Sequence, residues 1–263
     1  MFVFRTSAIG SAALAGAVAT AMLALAGCGP SSSTAGSSTS PSGGSTSKPA
    51  SSSGSGSQNS GSATTTAAYF PVGVGYTWKY NQQGYGSAGT VTNRVTAVTS
   101  VASGEQVMMT SDVTDPKATV THETLIIHPD GSVEVPMNQF GSEVTLKSGA
   151  IVWPSAAQLA SGQPYHNTLV LVMHIGGKSQ TLRMPLTVRG EGTSPVTVPA
   201  GTFQATKIVE TMATSMDGYK VTMAVDTWVA NGVGPVKSAV YGGLLGGSGN
   251  KPATQEELAS FTK

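Results

Sequence analysis

Strict alternation of apolar and polar side chains is the feature that most constrains the fold of this 263-residue chain. Between Thr181 and Arg189 the apolar residues occupy every second position, namely Leu182, Met184, Leu186 and Val188. Thr90 to Val101 repeats the pattern, and its predicted apolar face carries Val91, Val95, Ala97 and Val101. A period of two is typical of an antiparallel strand with one buried face, because successive side chains point to opposite sides of the sheet.

Further strands and turns follow the same logic along the chain. The additional predicted strands are Glu105 to Val113, Lys117 to Ile127, Leu169 to Ile175, Phe203 to Met212, Tyr219 to Val229 and Val236 to Tyr241. Hairpin turns are predicted at Pro129-Asp130-Gly131, Gly176-Gly177-Lys178 and Asp217-Gly218, because each lies between apolar-rich runs. Only two short helices are predicted, Pro154 to Ala160 and Glu256 to Phe261. The pattern therefore predicts a mainly β, antiparallel domain.

The N-terminal 66 residues differ in composition from this domain. Residues 1–27 contain one charge, Arg5, and then an uncharged run rich in Ala, Leu, Val and Gly, which is a signal-peptide layout. Gly29 to Thr66 contains 16 Ser, 7 Gly and 6 Thr among 38 residues, too little apolar surface to offset the entropy of ordering. We therefore predict a signal peptide over 1–27, a disordered tether within 28–66 and a β-rich globular domain over 67–263.

The four residues Leu25-Ala26-Gly27-Cys28 join the first two parts and resemble a bacterial lipobox. The resemblance implies cleavage before Cys28, acylation of its thiol and its N-terminus, and incorporation of fatty acids such as palmitate. The alternative is a retained transmembrane helix, since about 20 apolar residues span a bilayer. The small residues before the single cysteine favour cleavage. We therefore predict a lipoprotein anchored to the extracytoplasmic face of the cell membrane, because two acyl chains give stable attachment.

Charge and cysteine content exclude several classes of function for the domain. Without Arg5 and Lys48 the chain has 12 basic and 13 acidic residues, a net charge of 12 − 13 = −1 over 67–263. Nucleic-acid binding is not expected, because it requires a basic face that displaces counterions from phosphates. With Cys28 acylated, no thiol remains for a disulfide, a zinc site or a nucleophile.

Residues 67–263 contain no recognisable catalytic or metal-binding sequence pattern. The segment lacks the G-x-S-x-G and H-E-x-x-H motifs. His122 and His128 are six residues apart, about 20 Å along a strand, which is too far to share one metal ion. His122 is expected on the apolar face of Val120 and Ile126, with its ring hydrogen-bonded. We therefore predict a non-catalytic protein with no cofactor and no metal site.

Several sequence blocks resemble those of an uncharacterised family of bacterial envelope lipoproteins. They are Tyr69-Phe70-Pro71, Gly75 with Trp78 and Tyr80, Val198-Pro199-Ala200-Gly201-Thr202-Phe203, Trp228, and Gly232-Val233-Gly234-Pro235-Val236-Lys237. The resemblance implies a single curved antiparallel sheet or half-open barrel, and it offers no catalytic residues to carry over. The residues themselves indicate structural roles, since Pro199 ends a strand and Gly201 can adopt positive φ. Trp78, Trp153 and Trp228 are expected to be core anchors, with ligand platforms as the alternative, because large aromatics dominate core burial.

Two functions remain open after these exclusions, with an enzyme as a third and less favoured class. The first is binding of a lipid-like or hydrophobic molecule, with Met184 and Met223 lining a speculative apolar pocket, since methionine fits adaptable sites. Further methionines proposed for such a cavity are Met108, Met173 and Met212. The second is a structural or assembly module that binds a protein of the cell envelope. Core filling is the competing explanation for the methionines.

Overall fold

The computed structural model describes residues 69–84, 87–114, 119–135, 144–175, 178–216, 219–242 and 251–263. Within these ranges thirteen strands form one antiparallel sheet, and one short helix accompanies it. The predicted fold class, a mainly β, curved antiparallel sheet that does not close into a barrel, is confirmed. The signal peptide, Cys28 and the tether lie outside the described residues and stay predictions. No described helix is long and apolar enough to cross a membrane.

The strands occupy most of the described chain. Their bounds are β1 Thr77–Gly84, β2 Ser87–Val101, β3 Gly104–Val113, β4 Thr119–Ile127, β5 Val133–Val135, β6 Val144–Ser148, β7 Ile151–Trp153, β8 Tyr165–Ile175, β9 Lys178–Val198, β10 Gly201–Met216, β11 Tyr219–Ala230, β12 Gly234–Gly242 and β13 Thr254–Thr262. The helix α1 spans Ala156–Ala160. In the sheet the strands follow the order β6-β8-β9-β10-β11-β12-β13-β1-β2-β3-β4-β5-β7.

The two edge strands of this sheet, β6 and β7, are neighbours in sequence. Only Gly149 and Ala150 separate them, so the sheet curves enough to bring its first and last strands close together at this point, although the two strands do not pair with each other. The side-chain amide of Asn167 on β8 donates to the Ala150 carbonyl at 2.6 Å and fastens this seam. The curvature creates an inner face, which holds the core, and an outer face in contact with solvent.

The inner face carries the alternating apolar residues that the sequence pattern predicts. On β9 the predicted set Leu182, Met184, Leu186 and Val188 is buried throughout. On β2 the prediction holds only for the first half of the strand. A bulge between Val95 and Ala97 shifts the register, so Val98 packs against the core and Val101 is 36% exposed. A bulge adds one residue and thereby reverses which side chains face inward.

An aromatic cluster fills the interior at one end of the sheet, which we call the aromatic end. The rings of Phe70 and Trp78 stack with centroids 5.5 Å apart, and Phe261 stacks on the other face of Trp78 at 5.2 Å. The Trp78 indole donates to the carbonyl of Val233 at 2.6 Å, and the Tyr80 hydroxyl donates to that of Pro235 at 3.0 Å. Three of the sequence blocks therefore form one structural unit, as their structural interpretation predicts.

Glycine is needed at two positions, for a different reason at each. Gly201 has a φ of 132° and begins β10 directly after the Pro199-Ala200 turn, which confirms the predicted strand end. At Gly190 a Cβ atom would overlap the backbone carbonyl of Leu159, so β9 can lie directly beneath α1. The helix itself confirms the prediction for Pro154 to Ala160, and a reciprocal capping box of Ser155 and Gln158 begins it.

The second predicted helix is wrong. Residues 256–261 belong to β13, which pairs with β1 on one side and β12 on the other. Pairing on both edges outweighs the helix propensity of Glu256-Glu257-Leu258-Ala259, because propensity is a weak preference that tertiary contacts override. The strands β1, β5, β6 and β7 are also additions to the predicted set.

The hairpin predictions agree with the strand pairing. β8 pairs with β9 and β10 with β11, each antiparallel, on either side of 176–177 and 217–218. Those four turn residues lie outside the described residues. Pro129 and Asp130 form the turn between β4 and β5, where the Asp130 carboxylate accepts hydrogen bonds from the Ser132 backbone and hydroxyl. These bonds lower the pKa of Asp130.

Candidate functional site

The inner face contains polar side chains whose hydrogen-bonding atoms find no partner among the apolar residues around them. Within the described residues, six buried side-chain atoms have no hydrogen-bond partner, and all six are oxygens. They belong to Asn93, Ser111, Thr121, Glu210, Thr227 and Glu256. A buried polar atom without a partner costs about 1–3 kcal/mol, and native proteins contain few of them. Such a concentration on one surface therefore marks the candidate site.

Glu256 is the centre of one group of these residues. Its side chain is 5% exposed, and its Oε1 atom accepts from the Gln82 amide at 3.0 Å. Ser238 lies opposite it on β12 and also hydrogen-bonds to the carboxyl group, and Thr227 lies opposite Ser238 on β11. Among the described residues the Oε2 atom has no hydrogen-bond partner.

Burial has a large effect on the chemistry of Glu256. Loss of hydration raises the pKa of this carboxyl group to about 8, although the Gln82 hydrogen bond acts in the opposite direction. The negative charge of Glu123 raises the pKa further. Burial and the charge of Glu256 in turn raise the pKa of Tyr80, which also faces inward. At neutral pH Glu256 is thus held mainly as the neutral acid.

Glu123 is a further acidic residue of the inner face. It lies on β4 and Glu256 on β13, four strands apart in the sheet order, and both side chains occupy inward positions. The curvature of the sheet turns these positions toward the same interior, where the charge of Glu123 raises the pKa of Glu256. We call Gln82, Glu123, Thr227, Ser238 and Glu256 the Glu256 cluster.

A polar row on β2, β3 and β4 adjoins Glu123. Asn93, Ser111 and Thr121 are directly opposite one another in the register, and Glu123 is the next inward residue after Thr121. Asn93 and Ser111 are almost fully buried, and each of the three contributes one of the six unpartnered oxygens among the described residues. Hydrogen-bond acceptors therefore face the interior from two parts of the sheet, the Glu256 cluster and this polar row.

Glu210 on β10 is a second buried carboxyl group. Its Oε1 atom accepts from the Trp153 indole at 2.8 Å, which joins the edge strand β7 to the middle of the sheet. Burial raises the pKa of Glu210 to about 7, and the indole hydrogen bond opposes this increase. Trp153 is 4% exposed, so its predicted role as a core anchor is confirmed together with that of Trp78.

Met184 and Met223, the residues of the speculative pocket, lie on the inner face and are 2% and 4% exposed. Met223 is directly opposite Met212, which is two residues from Glu210 on the same face of β10. The methionines are thus packed in the core beside a buried acid, and binding of a ligand to them stays a prediction. Met108 is 47% exposed on the outer face, and the side chain of Met173 lies outside the described residues.

The three histidine side chains that the structure describes lie away from the inner face. His122 is exposed beside Val120, which is 59% exposed, so the prediction that it lies in an apolar buried face is wrong. The inward positions of β4 are instead 121, 123, 125 and 127. His128 follows β4 and contacts the Ser103 carbonyl and the Glu134 carboxylate, each at 3.0 Å. His166 is exposed and contacts the Thr187 hydroxyl, and the side chain of His174 lies outside the described residues.

Trp228 is only partly buried, unlike the other two tryptophans. Lys207 and Lys237 flank its ring, with Nζ atoms 5.6 and 5.8 Å from the ring centroid. Lys207 pairs with Asp226 and Glu191, and Lys237 pairs with Glu257. These carboxylates therefore neutralise the positive charges of Lys207 and Lys237 on the outer face.

No metal centre is visible in the described ranges, where no three His, Cys, Asp or Glu residues come together. The Glu256 cluster offers carboxyl, amide and hydroxyl groups instead, a set suited to hydrogen bonding. Sequence reasoning missed this site. The sequence contained one signal for it, the acidic pair Glu256-Glu257 before the apolar residues Leu258 and Phe261. The alternation of inward and outward side chains in this segment became interpretable only once the segment was known to be a strand.

Comparison with known proteins places the chain in a family. A model of the DUF3108-like family matches residues 75–244. The chain belongs to the DUF3108-like family. The matched region of this family includes four residues of the Glu256 cluster, and Glu256 itself lies beyond it. No curated protein matches the sequence.

Two solved structures share the fold of this DUF3108-like chain, and a third is reported with them. One from Bacteroides fragilis, described as an exported protein with a YmcC-like fold, has 19% identity and a TM-score of 0.53 and covers 75% of this chain and 100% of its own. One from Parabacteroides distasonis, described as a lipoprotein, has 18% identity and a TM-score of 0.56, with coverages of 75% and 99%. The lipoprotein YmcC from Escherichia coli has 8% identity and a TM-score of 0.35, with coverages of 70% and 84%.

Proposed function

We propose that this protein is a lipid-anchored protein of the extracytoplasmic membrane face whose sheet binds a lipid-like, amphiphilic molecule without transforming it. The observation that carries the proposal is the inner face, where apolar side chains adjoin buried oxygens that have no partner among the described residues. A molecule with an apolar body and a polar end complements such a surface.

The anchor is supported by the sequence around Cys28. The lipobox-like residues 25–28 precede a 38-residue tether, whose expected end-to-end distance as a coil is about 30–40 Å. That length would hold the domain beyond the lipid headgroups while keeping it close to the membrane. The descriptions of the Bacteroides and Parabacteroides structures as an exported protein and a lipoprotein agree with this location.

Binding is favoured over catalysis by the surroundings of the titratable groups. Both ring nitrogens of His128 are occupied, one by the backbone carbonyl of Ser103 and one by the carboxylate of Glu134. A general base needs an accessible nitrogen within reach of its substrate. Glu256 and Glu210 are buried among apolar side chains, where they are better suited to holding a ligand than to exchanging protons with solvent.

The expected affinity is modest. Burial of about 300 Å² of apolar ligand surface gives roughly 7 kcal/mol at about 25 cal/mol per Å², before the costs of association are subtracted. The net value corresponds to micromolar binding at best. We therefore expect a ligand that exchanges with the membrane rather than a permanently bound group.

Native mass spectrometry of the full chain purified from a bacterial envelope tests the proposal. We expect a fraction of the protein to carry an additional lipid mass, separate from the covalent anchor. Met223→Gln places a polar group in the core and should reduce that fraction at least threefold. Met223→Leu, and Met108→Gln on the outer face, should leave it unchanged. Circular dichroism of each variant establishes that it is folded.

A structural or assembly role is the second candidate. The tight packing of Met184 and Met223 favours it, because a core that is already filled needs no ligand. Protein that is free of lipid in every preparation, together with a protein partner captured by crosslinking in the envelope, would replace the proposed function with this one.

A further inference from the structure

We propose that the outside of the aromatic end binds an anionic lipid bilayer, so that the domain rests on the membrane with one defined end. The surface consists of Val72, Val74, Tyr76, Lys79 and Arg94, and we call it the contact surface. This inference rests on the proposed function, because it requires the lipid anchor at Cys28. It concerns the outside of the domain and not the ligand of the inner face.

Val74 lies at the tip of a turn that precedes β1. The amide of Tyr76 donates to the Gly73 carbonyl at 3.0 Å and closes the turn, and Gly75 has the positive φ that suits the second central position of a type II turn. Gly75 and Tyr76 each form a backbone hydrogen bond of 2.9 Å with Val95 on β2. Val74 is 68% exposed, more than any other large apolar side chain that the structure describes. The backbone therefore fixes an apolar side chain in water.

Further apolar side chains at the same end are only partly covered. One exposed valine is ordinary on a protein surface, but Val72, Tyr76, Val233 and Phe261 are also no more than half-buried. The Tyr76 and Phe261 rings meet edge to face with centroids 6.0 Å apart. Tyrosine is enriched at membrane surfaces, because its ring is apolar and its hydroxyl remains in water. This composition is typical of a surface that meets lipid headgroups.

Two cations, Lys79 and Arg94, lie on the outer face beside this apolar surface. Both are exposed, and their sequence neighbours on β1 and β2 point inward. Arg94 is directly opposite Thr77, the first residue of β1, and Lys79 lies two residues farther along the same strand. The two cations are therefore diagonal neighbours on adjacent strands. Long basic side chains can lie along apolar surface while their charged groups reach lipid phosphates.

These cations have no ion pair with a carboxylate of the described residues. Two acids are near them in the strand register. Glu257 pairs with Lys237, and Asp112 forms no ion pair with Lys79 or Arg94. Phosphate groups can supply the missing partners, and the negative potential of an anionic leaflet attracts basic side chains close to its surface. The charge therefore favours an anionic bilayer over a neutral one.

The predicted tether joins the domain at this same end. It ends at Thr66, three positions before Tyr69. The Tyr69 hydroxyl lies 3.4 Å from that of Thr206, and Phe70 stacks on Trp78, so the beginning of the domain is fixed at the aromatic end. A flexible tether gives its two ends a high effective concentration, so a weak contact is sufficient. A bilayer is favoured over an acidic protein, because the anchor brings the bilayer to this end of the domain.

Fluorescence quenching of the full lipidated chain on vesicles tests this inference. Cys28 is the only natural cysteine and its thiol is predicted to be acylated, so an added cysteine can carry a nitrobenzoxadiazole fluorophore. The probe is placed by Val74→Cys, and the matched control by Gln83→Cys, because Gln83 is exposed near the other end of β1. The vesicles contain phosphatidylcholine with or without phosphatidylglycerol, and a lipid with a spin-labelled headgroup quenches fluorophores near the surface. With phosphatidylglycerol we expect at least threefold more quenching at position 74 than at position 83.

Charge variants of the Val74→Cys chain test the role of the two cations. Lys79→Gln combined with Arg94→Gln should lower the quenching at position 74 at least twofold on vesicles with phosphatidylglycerol. Lys147→Gln combined with Lys251→Gln is the matched control, because both lysines are exposed and the change in net charge is the same. This control should leave the quenching unchanged. Circular dichroism establishes that every variant is folded, and flotation establishes that it is attached to the vesicles.

The failure of this inference differs from that of the proposed function. Equal quenching at positions 74 and 83, in protein that floats with the vesicles, would overturn the contact surface and leave both the anchor and ligand binding intact. Protein that does not float would overturn the anchor and the contact surface together. An equal loss of quenching in the two double variants would overturn the role of Lys79 and Arg94, since the effect would then be one of net charge. Equal quenching together with an envelope protein crosslinked at position 74 would assign the surface to a protein partner instead.

Discussion

The buried acid Glu256 should make the stability of the folded domain fall as pH rises. Its pKa is about 8 in the folded protein, against an ordinary value of 4.5 that is expected in the unfolded chain. Between these values the folded state holds a proton that the unfolded state has released. The unfolded state therefore binds fewer protons, and the free energy of unfolding decreases with pH over this range.

The size of the effect follows from the two pKa values. At about 1.4 kcal/mol per pKa unit, the difference corresponds to about 5 kcal/mol of stability that is present below pH 4.5 and lost by pH 8. Glu210, with a pKa of about 7, contributes with the same sign. For a domain of this size each kcal/mol changes Tm by about 2–4 °C, so the effect of Glu256 alone is about 10–20 °C.

The test compares thermal unfolding of the full chain and two variants at pH 5, 6, 7, 8 and 9, followed by circular dichroism. Glu256→Gln replaces the acid by a neutral group of nearly the same shape, so its stability should fall less steeply between pH 5 and 8. Above pH 8 it should be more stable than the natural chain. Glu257→Gln, on the outer face, should keep the natural slope. Identical slopes for the natural chain and Glu256→Gln would refute the argument that Glu256 is buried as a neutral acid.

Three further predictions concern other parts of the protein. Trp78→Ala should lower the free energy of unfolding, measured by chemical denaturation, by about 3–5 kcal/mol, because it empties the aromatic end. Trp228→Ala should lower it clearly less, since this side chain is only partly buried. Equal losses in the two variants would contradict the packing. Gly190→Ala should cost about 1–3 kcal/mol because its Cβ would overlap Leu159, and a neutral result would show that α1 can move away. Cys28→Ser should abolish incorporation of radiolabelled palmitate, and undiminished labelling would remove Cys28 as the anchor.

Much of the fold could be predicted from the sequence because strands with one buried face have a regular signal. Residues 181–189 are the clearest case, since β9 is long and buries every second side chain. The signal weakens where a bulge interrupts it, as after Val95. It disappears in β5 and β7, which have three residues each and are too short to show a period.

The candidate site was much harder to predict than the fold. The neighbours of Glu256 resemble a helix in sequence. Its partners Gln82, Glu123 and Ser238 come from three distant segments, and only the order of strands in the curved sheet brings them together. An isolated glutamate in a sequence carries no indication that it faces inward.

A crystal structure of the full chain purified from a bacterial envelope would test the central claim most directly, because it would show what contacts the Oε2 atom of Glu256. We expect elongated density on the inner face, with a polar end within hydrogen-bond distance of Oε2 and an apolar part against Leu258. Ordered water molecules that hydrogen-bond to Glu256, Thr227 and Asn93, with no other density on the inner face, would contradict ligand binding. The interior would then be a core that needs no ligand.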